Sequence, residues 1–270
     1  LGALFVRRQA RLVDPLIALA LFRVPAFGAA LAVNVLGFCT AFATFLFMAQ
    51  YLQSVLGLSP LVAGLWGVPS ALAFIGGSML TPAIVGRFPP AGVIAGGMTV
   101  SAAGFVLLAL VDHVGHPLAM LVAGSVVFSV GLTPVVTLTT DIVLSAAPPE
   151  RAGAASALSE TSSELGGALG IAVMGSLITA LYRASLATTL PAELAPESAE
   201  TARGTIGGAV SVAGTLPPAI GDQVLDAARE AFAHAFGMTA IASALLAGAV
   251  AAMAVALLRR VPRPAAAGAD

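Results

Sequence analysis

Three carboxylates stand in stretches that are otherwise too apolar to hold them: Asp141, Glu160 and Glu164. An ionisable group inside a membrane helix costs about 2.5–3.5 kcal/mol even on lenient insertion scales, so each needs a reason to be there. Glu160 and Glu164 are four residues apart, which puts them on one face of a helix. The chain has no lysine, and no arginine stands at comparable depth in its apolar stretches. Withholding a carboxylate from water favours its protonated form. Such a group holds either a proton or a cation and resists being empty, which is the simplest chemical basis for exchanging protons against cationic cargo. A wetter vestibule that merely solvates the pair is the competing reading. Asp141 admits two roles, a member of the same set or an anchor of its helix end near Arg151.

Other residues carry weaker signals. Gln50 and Tyr51, with Gln53 beside them, end an apolar run and are candidates to line a cavity, as is Trp66, the single tryptophan. Gly92 and Gly96, and the group Gly166, Gly167 and Gly170, have the small-residue spacing that lets membrane helices approach closely. Pro69 and Pro134 fall inside apolar stretches and should bend them. His113 and His116 sit in a short turn without ligand partners, and Cys39 is alone, which leaves no disulfide framework. No nucleophile–base set, metal-ligand spacing or phosphate loop is present. The reading is therefore not an enzyme, with no cofactor, no metal and no nucleic-acid surface.

The elements that must position these residues follow from composition. Of 270 residues, 59% are hydrophobic and 9% charged. Soluble domains carry about 25% charged residues, so the surroundings of most of this chain are lipid. Six stretches are long enough to cross a bilayer: 27–51, 61–85, 91–111, 118–144, 154–182 and 235–258. Continuous apolar runs of this length predict helices rather than barrel strands. Proline with polar neighbours separates them, at Ser59-Pro60, Pro89-Pro90, His116-Pro117 and Pro148-Pro149.

Arginine placement orients the bundle. Arg7, Arg8, Arg11, Arg23, Arg87, Arg151, Arg259, Arg260 and Arg263 all fall on one side if there are six spans. Only Arg183, Arg203 and Arg229 fall on the other. The positive-inside rule predicts both ends of the chain in the cytoplasm. The expected plan is an incoming helix end and amphipathic linker over 1–26, a six-helix transmembrane bundle over 27–258, and a cytoplasmic tail over 259–270. The loop 183–233 is either a solvated tether or carries two short helices, 205–215 and 223–234, joined at Pro217-Pro218. The start at Leu1, with apolar residues ahead of Arg7-Arg8, reads as the end of a helix whose beginning lies elsewhere.

Two blocks resemble a known family. The first is Tyr51-Leu52-Gln53-Ser54-Val55-Leu56-Gly57-Leu58-Ser59-Pro60-Leu61-Val62-Ala63-Gly64. The second is Pro148-Pro149-Glu150-Arg151-Ala152-Gly153-Ala154-Ala155-Ser156-Ala157, then Glu160, then Glu164-Leu165-Gly166-Gly167-Ala168-Leu169-Gly170. Together they resemble the C-terminal half of fourteen-helix drug:proton antiporters of the QacA/EmrB type, within the major facilitator superfamily. The resemblance implies proton-driven efflux of hydrophobic, often cationic compounds by alternating access across a bacterial cytoplasmic membrane. It also implies a partner bundle on the N-terminal side, an extracellular hairpin between the last two spans, and a cation or proton role for Glu160. Some family members carry an aspartate in the tenth helix, and the stretch 61–85 has none. The alternatives are a narrow-specificity exporter of a lipid, siderophore or self-made antibiotic, and a membrane scaffold that does not transport.

Overall fold

Proline decides where most of the helices begin. It fixes the backbone angle that a helix needs at its first turn and gives up only an amide that would be unpaired there. The computed structural model describes residues 7–8, 11, 19–113, 115–191, 193–259 and 261, and every regular element among them is helical. We label the helices α1 (Pro25–Gln50), α2 (Pro60–Trp66), α3 (Val68–Val85), α4 (Pro90–Ala109), α5 (Pro117–Ser145), α6 (Ala152–Leu186), α7 (Pro196–Gly204), α8 (Ile206–Ala213) and α9 (Pro218–Leu258). Six units are long and apolar enough to cross a membrane: α1 with its extension, α2–α3 together, α4, α5, α6 with its leading turn, and α9. The chain is a multi-pass, six-helix membrane bundle, and each expected span lies within one of these units except the third, which runs two residues past the end of α4.

Two boundaries differ from expectation. The last helix begins at Pro218 rather than near residue 235, so 223–234 is its first turns and not a separate short helix. Nothing after Pro218 breaks the helix, and the hydrophobicity that marks a span stops at the lipid edge rather than at the helix end. The second unit is two helices, parted at Gly67, with Pro69 in the first turn of α3 rather than at a bend. Pro134 does lie inside α5. The expected helix end at 1–6, most of the linker and the tail from 262 lie outside the described residues.

The packing order explains which surfaces stay open. α4 packs on α5 and α9, α1 packs on α6, α9 and α5, and α3 packs mainly on α5. The core between them is made of large apolar side chains without access to solvent, among them Phe27, Phe105, Phe128, Ile94 and Met98. In the α2–α3 unit only 17% of the most apolar window is buried, against 61% for α1. Leu72, Ile75, Met79 and Leu80 are therefore left facing outward.

Glycine sets the close contacts. Gly166 and Gly170 lie against the Val35 and Cys39 carbonyls of α1, and Gly167 lies under the Phe42 ring. On α4 the packing glycines are Gly97 and Gly104, against Gly131 and Phe128 of α5. Gly92 and Gly96, the pair expected to do this, turn to the open side. A side chain built on Gly96 meets nothing within 4 Å among the described residues.

At one end of the bundle lie Arg23, Arg87, Arg151 and Arg259. At the other, α7 and α8 form a hairpin that packs on α9 and touches α6. The Tyr182 hydroxyl donates to the Ala202 carbonyl at 2.9 Å, and Arg183 pairs with Glu200 at 2.5 Å. Near the same end, α1 passes into a π-helical turn, Tyr51–Val55, and Gly57 then takes a left-handed φ of 67°.

Candidate functional site

The carboxylate pair is carried by the first half of α6, which opens directly after the turn Pro149–Arg151. Ala155, Ser159, Ser162 and Gly166 form the side of α6 turned to its neighbours. Glu160 and Glu164 lie on the other side and are exposed. The expectation that the bundle itself withdraws them from water is therefore corrected. α1 covers only the serine–glycine side of α6, and no described helix covers the glutamate side. Neither carboxylate has an ion pair among the described residues.

The glutamate side continues into a cleft toward the hairpin end. Gln50 lines this cleft together with Leu46, Gly175, Thr179 and Arg183, and Gly204, Thr205 and Ile206 roof it; its volume is about 670 Å³. One surface of α6 thus runs from two carboxylates near the arginine-rich end to a mostly apolar cleft near the other. Gln50 is placed where it can meet a guest there.

Tyr51 has a different situation. It is buried under Phe232 and Phe236 of α9, with ring centroids 6.5 and 5.3 Å away, and its hydroxyl donates to Asp112 Oδ1 at 3.4 Å. It packs the core rather than lining the cleft. Trp66 is partly exposed and borders a separate groove with His116 and Leu118, which Gln50 does not line.

Asp141 is exposed near the end of α5 and lines a cleft of about 870 Å³ with Pro25, Pro90, Ser145 and Arg259. The cation that shares its cleft is Arg259, directly after α9. Asp141 therefore stands apart from the cleft that Gln50 lines.

Sequence reasoning missed a polar junction behind the carboxylates. Asn34 of α1 is 2% exposed. Its Nδ2 donates to Ser162 Oγ and Ser163 Oγ, both at 2.9 Å, and to the Ser159 carbonyl at 3.4 Å. Its Oδ1 accepts from Thr139 Oγ1 of α5 at 3.2 Å. The available signal was a single amide in the interior of an apolar span, a buried polar group that must find partners.

The matched families agree with this architecture. Residues 6–171 match the Major Facilitator Superfamily model. The chain belongs to the major facilitator superfamily. The match to the superfamily contains α1 through most of α6, and with them Asn34, Asp141, Glu160 and Glu164. The chain is 38% identical over 259 residues to the "Multidrug efflux pump LfrA" of Mycolicibacterium smegmatis, covering 96% of this chain and 51% of that protein. It is 32% identical over 173 residues to the "Tetracenomycin C resistance and export protein" of Streptomyces glaucescens, covering 64% and 32%. It is 35% identical over 178 residues to the "Methyl viologen resistance protein SmvA" of Salmonella typhimurium, covering 64% and 35%. The chain thus spans about half the length of the first of these superfamily relatives, and about a third of the other two.

Proposed function

We propose that this chain forms one six-helix half of a proton-coupled drug exporter. In this reading it is the C-terminal half of a fourteen-helix antiporter, set in a bacterial cytoplasmic membrane with its C-terminus in the cytoplasm. The observation that carries the reading is the uncovered side of α6, where Glu160 and Glu164 lead toward the cleft lined by Gln50. A second bundle, built from the length that the relatives have and this chain does not, covers that side and encloses it. The carboxylates then lie between two bundles instead of in bulk water, where a proton and a cationic guest compete for them. Glu160 holds the cation or proton, Glu164 supports it one turn further in, and Asp141 with Arg259 belongs to the cytoplasmic mouth. The energy comes from the proton gradient, and no bound cofactor is needed. Hydrophobic cations suit such a site because the cleft wall is mostly apolar, its Arg183 is paired with Glu200, and two carboxylates stand further along the same side of α6. The names of LfrA and SmvA, a multidrug pump and a methyl viologen resistance protein, support cargo of this kind.

A narrower cargo, a self-made antibiotic, is the second reading, favoured by the relative named for tetracenomycin C. A panel of cations and neutral polyketides separates the two. The test of the mechanism is drug-induced proton release from proteoliposomes holding the full-length protein. Glu160→Gln keeps the shape but not the charge, and should cut that release about tenfold or more, with Glu164→Gln less severe. Release unchanged in Glu160→Gln would remove Glu160 from the site.

A further inference from the structure

We propose that Asn34 is a positioning residue whose carboxamide sets the rotation of α6, and thereby the side on which Glu160 and Glu164 are displayed; its meaning for transport rests on the function proposed above. The argument begins with where the protons go. The Ser162 and Ser163 hydroxyls donate to the Ser159 carbonyl at 2.7 and 3.1 Å. Their oxygens therefore face Asn34 as acceptors, and only a donor on α1 satisfies them. The Thr139 hydroxyl, whose one proton also bonds the Val135 carbonyl at 2.8 Å, lies 3.2 Å from Asn34 Oδ1 on the other side. A carboxamide is the uncharged side chain that offers two N–H groups to one helix and a carbonyl to another. The amide orientation thus follows from its surroundings.

The placement of the three serines gives the junction its consequence. Ser159 and Ser163 directly precede Glu160 and Glu164. Neighbours in a helix point about 100° apart, so fixing the serines on α1 fixes the glutamates on the uncovered side. Thr139 stands two residues before Asp141 on α5. One buried side chain on α1 therefore ties together the two helix segments that bear all three candidate carboxylates.

The junction is separable from the contact that holds the helices together. Gly166, Gly167 and Gly170 seat α6 on α1 a turn or more further along. Replacing the amide should therefore leave the helices paired on these glycines while the turns of α6 before Gly166 lose the contact that fixes their rotation.

The experiment uses the full-length protein with Cys39→Ala. Single substitutions Glu160→Cys and Ala155→Cys are labelled in inside-out vesicles with a membrane-impermeant methanethiosulfonate. With Asn34 present, Glu160→Cys should react about tenfold faster than Ala155→Cys, which lies on the covered side. Adding Asn34→Leu should bring the two rates within about threefold of each other. If that variant does not assemble, Ser162→Ala with Ser163→Ala removes the acceptors instead and should act alike. An unchanged rate ratio in the variant that assembles overturns the proposal.

Transport supplies the second readout. With Glu160 native, Asn34→Leu should raise KM for ethidium about tenfold while kcat stays within about twofold, because guest binding and not turnover is disturbed. A loss in kcat with KM unchanged, as mere instability gives, overturns the positioning role. If Glu160→Gln transports normally, the functional reading fails, and the labelling ratio still decides whether Asn34 governs α6.

Discussion

Glycine and alanine differ by one methyl group, and at two glycines of this bundle that methyl should act in opposite directions. At Gly170 a Cβ lands on the Cys39 carbonyl of α1, a backbone atom that cannot swing away. Gly170→Ala should therefore destabilise by about 1–3 kcal/mol, as overpacking does. At Gly96 nothing stands within 4 Å among the described residues, and alanine is the better helix former. Gly96→Ala should be neutral or stabilising by up to about 1 kcal/mol, because glycine in a helix interior costs about that much. Thermal unfolding of the detergent-solubilised protein, followed by Trp66 fluorescence, checks both. The carboxylates were legible in the sequence because charge is conspicuous in an apolar run. Their neighbour Asn34 was not, because its partners lie 105 to 129 residues away and only the folded bundle brings them together. The burial of the glutamates was misjudged for a related reason. A sequence shows which residues share a helix side, but not which side the neighbouring helices leave bare.

At the level of helices, the hairpin is held by one buried bond and one exposed one. The Arg183–Glu200 pair is solvent-exposed on both members, so it contributes little. The Tyr182 hydroxyl and Ala202 carbonyl are buried, and losing that bond costs about 1–3 kcal/mol if the carbonyl stays unpaired. Tyr182→Phe should thus raise amide hydrogen exchange in α7 and α8 without changing exchange in α4 and α5, whereas Glu200→Gln should do neither. The helical spans were readable because a bilayer demands a fixed apolar length and proline marks the starts. The join between 223–234 and the last span was not, because the alanine-, arginine- and glutamate-containing run there is too polar to count as span yet consists of good helix formers that carry the helix straight into it.

For the whole molecule, the proposed orientation makes a direct prediction. With Cys39→Ala, a cysteine replacing Glu197 of α7 should be labelled by an impermeant reagent in intact cells. One replacing Glu150, in the turn before α6, should be labelled only in inside-out vesicles, and the reverse result would invert the topology. The arginine pattern carried that orientation, and the span count agrees with it. The length of α9 carries a further mechanical consequence. It is one unbroken helix of 41 residues, about 60 Å at ~1.5 Å per residue, roughly twice the ~30 Å hydrocarbon layer. In the proposed orientation its far half is a stiff mast above the lipid, with the hairpin packed along it. A tilt of about ten degrees at the membrane surface would swing a tip about 30 Å away by about 5 Å. Small displacements among the buried helices are thereby amplified into large ones outside, and a ligand or antibody gripping the tip would pull back on the bundle through the same lever.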